Sequence, residues 1–173
     1  PQYNKLFEDG VFDIGLHVGG DYNEERFDLD TAKWTIEYLL EGGWTNEAVS
    51  SFEDLRLDSP PFTRELTIEG RTITAAVYIY HSDLDGGGDQ GVLRNAVEDS
   101  LAKRDVVIYS GHAGAGAGFL LDYHPRYELR AADFATVPMS DKYQIFVLDG
   151  CQSYRTYVDD LLKNPAKTFD NLD

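Results

Sequence analysis

A single cysteine, Cys151, stands in a chain of 173 residues. That scarcity excludes an intramolecular disulfide and any multi-thiolate zinc or iron–sulfur site, so any chemistry at Cys151 is that of a solitary thiol. Basic side chains are also few: 15 Lys and Arg face 31 Asp and Glu, a formal charge of −16. So anionic a surface repels phosphate backbones and anionic headgroups, which argues against nucleic acid and membrane partners. Long hydrophobic runs are missing. No window approaches the roughly 18 apolar residues of a membrane span, and the start, PQYNKLFEDG, lacks the basic-then-apolar plan of a secretion signal. The expectation is a soluble chain whose compartment stays open. Proline and glycine are too sparse for a fibre or a disordered linker. With 42% hydrophobic and 27% charged residues, the composition suits one domain with a real core.

What is present alternates between strand and helix signals. Val11 to Val18 (VFDIGLHV) has period-two alternation bounded by Gly10 and Gly19-Gly20, which predicts a half-buried strand. Asp30 then caps TAKWTIEYLLEGG, where Ala32, Ile36, Leu39 and Leu40 share a helical face and Gly42-Gly43 supplies the stop. Residues 44–61 read as an irregular connection with a short helix around Asn46 to Phe52. RELTIEGRTITAAVYIYH predicts a hairpin turning at Glu69-Gly70, its second arm, Ile73 to Tyr80, central in the sheet. VLRNAVEDSLAKR carries an apolar helical stripe of Val92, Leu93, Ala96, Val97 and Leu101. DVVIYSGH and QIFVLDGC are continuous apolar runs of the kind buried on both faces of a parallel sheet. The predicted fold class is therefore α/β, a mostly parallel sheet flanked by helices, with crossovers through Val92 to Arg104 and through Tyr127 to Phe134.

In open parallel sheets the functional crevice lies beyond the carboxyl ends of the strands. The two apolar runs deliver His112 and Cys151 there. On neighbouring strands, about 5 Å apart, an imidazole and a thiol can face one another. The imidazole can then take the thiol proton or stabilise the thiolate. SYRTYVDDLL reads as a helix beginning near Ser153, whose N-terminal dipole favours a thiolate and a developing oxyanion. The loop after His112, AGAGAG, is small enough for a peptide to lie against it and for its N–H groups to face a substrate carbonyl. The other histidines, His17, His81 and His124, pair at no metal-ligand spacing and are expected to be ordinary. In DLDGGGDQG, Asp83, Asp85 and Asp89 could hold calcium, yet an EF-hand loop needs Glu at its twelfth position and finds Arg94; a solvated acidic turn is the reading adopted. No other metal and no organic cofactor is implied.

The segments VVIYSGHAG and IFVLDGCQS resemble the caspase-like cysteine peptidases, the clan that includes metacaspases, gingipains, clostripain, legumain and separase. In that family an apolar strand ends in a Gly-His or His-Gly motif, and a later one ends in the nucleophile, often as D-x-C-x-S, which Asp149, Cys151 and Ser153 fit. The resemblance spans residues 73 to about 163. It implies Cys151 as nucleophile, His112 as acid–base partner, and the backbone N–H groups of Ala113 and Cys151 as the oxyanion hole. By the metacaspase pattern it also implies Asp149, aided by Asp83 or Asp85, as the binding site for a basic P1 side chain.

The chain departs from the family pattern twice. Ala113 stands where most members have Gly, and only 22 residues follow Cys151, where caspase-like folds add a helix and strands that wall the substrate pocket. The missing walls could come from a companion small-subunit segment of the same self-processed precursor or from residues before 70, or the chain could be a shortened one. The domain expectation is an N-terminal strand, helix and hairpin region, 1–70, packed on a caspase-like catalytic core, 71–173, as one compact domain. The expected function is a cysteine endopeptidase acting on protein or peptide substrates through a thioester acyl-enzyme. The alternative is a catalytically lapsed caspase-like domain that binds a protein partner.

Overall fold

A computed structural model of the chain describes residues 2–113, 118–151 and 153–173, with backbone alone for 153–156. The chain is α/β. Its main sheet joins β2 (Phe62–Ile68), β3 (Arg71–His81), β1 (Val11–Val18), β4 (Val106–Ser110) and β7 (Ile145–Asp149), in that spatial order. Four of these strands are parallel, and β2 runs antiparallel to β3 at one edge, so the sheet is mixed. Two further strands, β5 (Phe119–Tyr123) and β6 (Arg126–Leu129), form a separate antiparallel pair. No helix among the described residues is long and apolar enough to cross a membrane.

Helices cover both faces of the sheet. α1 (Phe27–Glu41) packs one face, where Ile36 meets Val49, Leu55, Phe62, Val77 and Ile79. On the other, α2 (Gly91–Lys103) sets Leu93, Val97 and Leu101 against Val107 and Tyr109, a cluster that continues through Phe119 and Phe134 to Tyr157 and Leu161 of α3 (Ser153–Leu161). Two right-handed crossovers leaving β1 and β3 on opposite faces produce this layering.

The hairpin prediction holds, with Phe62 paired to Val77 and Ile68 to Arg71 across the turn. Four other expectations change. β3 is an interior strand as expected, and β1, read as half-buried, is the middle strand, paired with both β3 and β4. Its alternation arose because the positions facing α2 are small or polar: a Cβ on Gly15 would lie 2.5 Å from Ser100 Oγ, and His17 is buried against Ser100. The first helix starts at Phe27 rather than after Asp30, since Arg26 binds the Asp28 carboxylate at 3.0 and 2.9 Å and draws that first turn into the helix. Instead of a helix at Asn46 to Phe52 there is one turn, Phe52–Asp54, where Asp54 caps Ser50 and Ser51. The Tyr127 to Phe134 stretch lies, as expected, in the connection from β4 to β7, which makes the β5–β6 hairpin and a single turn, Ala131–Ala135. Finally, β7 is the last full strand and only half-buried, with Val147 exposed, rather than covered on both faces. The start of its outer edge is paired by the C-terminal residues, through Gln144 N–H to Asn171 O (2.9 Å) and Phe146 N–H to Asp173 O (2.7 Å).

Candidate functional site

From β1 the chain passes to α1 and β3 on one side; from β4 it passes to β7 on the other. The strand order thus reverses between β1 and β4, the place where open α/β sheets leave a crevice beyond their carboxyl ends. A cleft of about 530 Å³ lies there. Its walls include the last residues of three adjacent strands and those that follow, Val18, Gly19 and Asp21 at β1, Ser110, Gly111 and His112 at β4, Asp149, Gly150 and Cys151 at β7, together with Phe27, Asp28 and Thr31 of α1. The strands themselves close at Ser110 and Asp149, which are paired with each other. His112 and Cys151 each stand two residues further, on neighbouring loops over one cleft.

Close backbone approach makes this geometry. A Cβ on Gly111 would lie 3.0 Å from the Gly19 Cα, and one on Gly19 would lie 2.4 Å from both the Leu120 carbonyl and the Tyr109 hydroxyl. Only glycine lets these loops lie so near. The buried Tyr109 hydroxyl sits 2.6 Å from the His112 carbonyl oxygen and accepts a hydrogen bond from Leu120 N–H at 2.9 Å, fixing the His112 loop to the β5–β6 hairpin. Across the cleft floor, Ala113 and Gly150 abut: a Cβ on Gly150 would be 3.3 Å from the Ala113 methyl.

The His112 ring is held on two sides. Its Nε2 lies 3.0 Å from Oδ1 of Asp21, and the Tyr22 ring tilts over it with centroids 4.6 Å apart. Asp21 is 5% exposed. Burial opposes its ionisation, but the Asn23 backbone N–H and the His112 ring outweigh burial and hold its carboxyl below the ordinary range. An ionised Asp21 accepts from Nε2–H, which leaves His112 Nδ1 as the proton acceptor. Cys151 is exposed on the opposite wall, and no hydrogen bond joins it to His112. Among the described residues, neither the Ala113 nor the Cys151 N–H has an acceptor.

The other expected residues separate into two groups. Asp149 is exposed in the cleft and accepts from Ser110 Oγ at 3.1 Å. Asp83 and Asp85 do not reach it. Asp83 lines another depression, with His81 and Leu84, and is paired with Arg26 at 2.7 Å; Asp85 accepts from Gly87 N–H at 2.8 Å, closing its own turn. The acidic group actually in the cleft beside Asp149 and Asp21 is Asp28, whose charge Arg26 neutralises. Asp89 likewise caps Gly91 N–H at 2.9 Å, and among the described residues no three His, Cys, Asp or Glu side chains gather as a metal site. Residues 114–117 of the AGAGAG loop, Gln152 and the Ser153 side chain lie outside the described residues. Sequence reasoning missed Asp21, although Val18-Gly19-Gly20-Asp21 repeats the strand, glycine, reactive residue order of Ser110-Gly111-His112 and Asp149-Gly150-Cys151.

In comparisons with family models, curated proteins and solved structures, the chain matches none.

Proposed function

We propose that the chain is a caspase-like cysteine endopeptidase. The observation that carries this reading is the placing of His112 and Cys151 on adjacent strand-end loops over one cleft, with Asp21 buried behind the imidazole. Asp21 fixes the His112 tautomer so that Nδ1 takes the proton of the Cys151 thiol as Sγ attacks a peptide carbonyl. The oxyanion of the tetrahedral intermediate is met by the N–H groups of Ala113 and Cys151 at the head of α3. The imidazolium returns its proton to the departing amine, leaving a thioester on Cys151. His112 then activates a water that hydrolyses this acyl-enzyme and frees the thiol. No cofactor enters the scheme.

Substrate preference follows from the charges left over. Asp21 is committed to His112 and Asp28 to Arg26, so Asp149 is the cleft carboxylate available for a cationic side chain, which favours Arg or Lys at P1.

Fluorogenic peptides with Arg, Lys, Asp or Asn at P1, offered to the wild-type chain and to Cys151→Ala, test the reading. Hydrolysis that falls at least about 10³-fold in the variant, with unchanged thermal unfolding, is the expected result. A wild-type chain that cleaves none of them and whose thiol alkylates no faster than free cysteine returns the cleft to the second reading, a lapsed caspase-like domain that binds a protein partner. Ala113, in the place most members reserve for Gly, favours that alternative.

A further inference from the structure

α1 buries one face and leaves another unusually aromatic. Phe27, Trp34 and Tyr38 are 54%, 62% and 80% exposed, whereas Ala32 and Ile36 are sealed in the core. At 100° per residue, Phe27, Thr31, Trp34, Thr35 and Tyr38 fall within an arc of about 100° that contains no charged side chain. The two threonines add no polar demand to that stripe. Thr31 Oγ donates to Phe27 O at 2.9 Å and Thr35 Oγ to Thr31 O at 2.8 Å, so both hydroxyls are spent on the helix itself.

The stripe is continuous with the candidate cleft. Phe27 and Thr31 belong to the cleft wall, and Thr31 also belongs to a second depression, of about 460 Å³, whose other walls include Trp34, Tyr38, Leu39 and Trp44. From Phe27 to Tyr38 the helix rises about 16 Å, the length of roughly five residues of extended peptide. Exposed Trp and Tyr side chains are rigid, lose little entropy on contact, and are the residues that most often anchor a bound chain.

We infer that the aromatic face of α1 is an extended substrate subsite, which receives an aromatic or branched apolar side chain about three to five residues from the bond cut at Cys151. The occupant is the substrate polypeptide itself, because the stripe opens from the cleft where the scissile bond would lie. The inference rests on the peptidase reading for the identity of its ligand, and binding tests it without catalysis.

Fluorescein-labelled peptides carry one Arg and, at each successive position on either side of it in turn, one Phe or one Ala. Their affinities are measured by anisotropy for the Cys151→Ala chain and for the same chain with Trp34→Ala and Tyr38→Ala. At one register the Phe peptide should bind at least about tenfold more tightly than its Ala counterpart. That ratio should fall to near one in the Trp34→Ala, Tyr38→Ala chain and survive Lys33→Ala, a change on another face of the same helix. A ratio that ignores both aromatic substitutions, or an absence of peptide binding, overturns the subsite. So does self-association that those substitutions abolish, which would give the stripe to a second copy. Register-dependent binding together with a wild-type chain that hydrolyses none of these peptides would keep the subsite while removing the peptidase reading.

Discussion

The two ends of the parallel sheet use similar residues to opposite effect. At the amino end of β1 and β4, Asp13 and Asp105 exchange backbone and side-chain bonds: Asp13 N–H donates to Asp105 Oδ2 at 3.0 Å and Asp105 N–H to Asp13 Oδ1 at 2.8 Å. Arg104 binds the remaining Asp13 oxygen at 2.9 Å and lies 3.6 Å over the Tyr78 ring. Further along β1, toward its carboxyl end, buried His17 is bonded to Ser100, and burial, then the Arg104 charge, lowers its pKa to about 3, so it stays neutral. At that amino end Asp13 is answered by Arg104, and each carboxylate accepts the other residue's N–H. At the carboxyl end, Asp21 and His112 answer each other, while Asp149 and Cys151 face the cleft exposed. The difference teaches where to look for function in an acidic protein: a carboxylate with an incomplete set of partners says more than the count of carboxylates.

The contrast is most sharply tested at Asp21. Asp21→Ala should lower kcat by about 10²-fold or more with little change in KM, because the His112 tautomer and orientation are lost while the cleft keeps its shape. Asp21→Asn should recover part of the loss, and the pH–rate profile should shift in both. Equal kcat in the alanine variant would make the Asp21–His112 contact purely structural.

At the other end the prediction is one of stability without catalysis. Arg104→Met keeps the apolar stem but takes the guanidinium away from Asp13 and from over the Tyr78 ring, which should cost about 2–4 kcal/mol in denaturant unfolding while kcat/KM stays within about twofold. A catalytic defect of the same size as the stability loss would mean that the two ends are coupled.

The smallest effect is a pH dependence. Burial, and after it the adjacent Asp13 charge, push the Asp105 carboxyl up to about 7, although the Asp13 N–H opposes the shift. A raised folded pKa means that the folded chain holds a proton that the unfolded chain has released. Asp105 therefore favours folding least once the pH passes about 7, and stability should fall as the pH climbs from the ordinary carboxylate range to that point. Asp105→Asn, which cannot ionise, should flatten this slope; an unchanged slope would assign it to other groups.

Much of this arrangement was readable in the chain. The hairpin at Glu69-Gly70, the helix stop at Gly42, and the delivery of His112 and Cys151 to one crevice follow from patterns of two to eight residues, and local physics acts on that scale. Strand order is a different kind of fact. Val11 to Val18 carries Asp13, Gly15 and His17 on one face, so its own residues described a half-wet strand; only contact with Ser100 and Arg104, some ninety residues on, turns that face into an interior. A half-buried strand carries no sign of its neighbours, so nothing in Val11 to Val18 showed that it lies beside β4 and brings Asp21 to His112. Distance in sequence also hid Arg26, which claims Asp83 from 57 residues away and removes it from the cleft.

Tyr109 adds a kinetic consequence to its packing role. One hydroxyl touches the carbonyl of His112 and both backbone groups of Leu120, and its ring stacks on Phe119 with centroids 4.1 Å apart. Burial raises the cost of ionising it, so the phenol remains a neutral clasp. The His112 loop and the β5–β6 hairpin are thereby made one cooperative unit, and neither can unlatch without breaking the bonds of the other. A loop that would otherwise fluctuate as a surface connection inherits the opening free energy of the aromatic core beneath it.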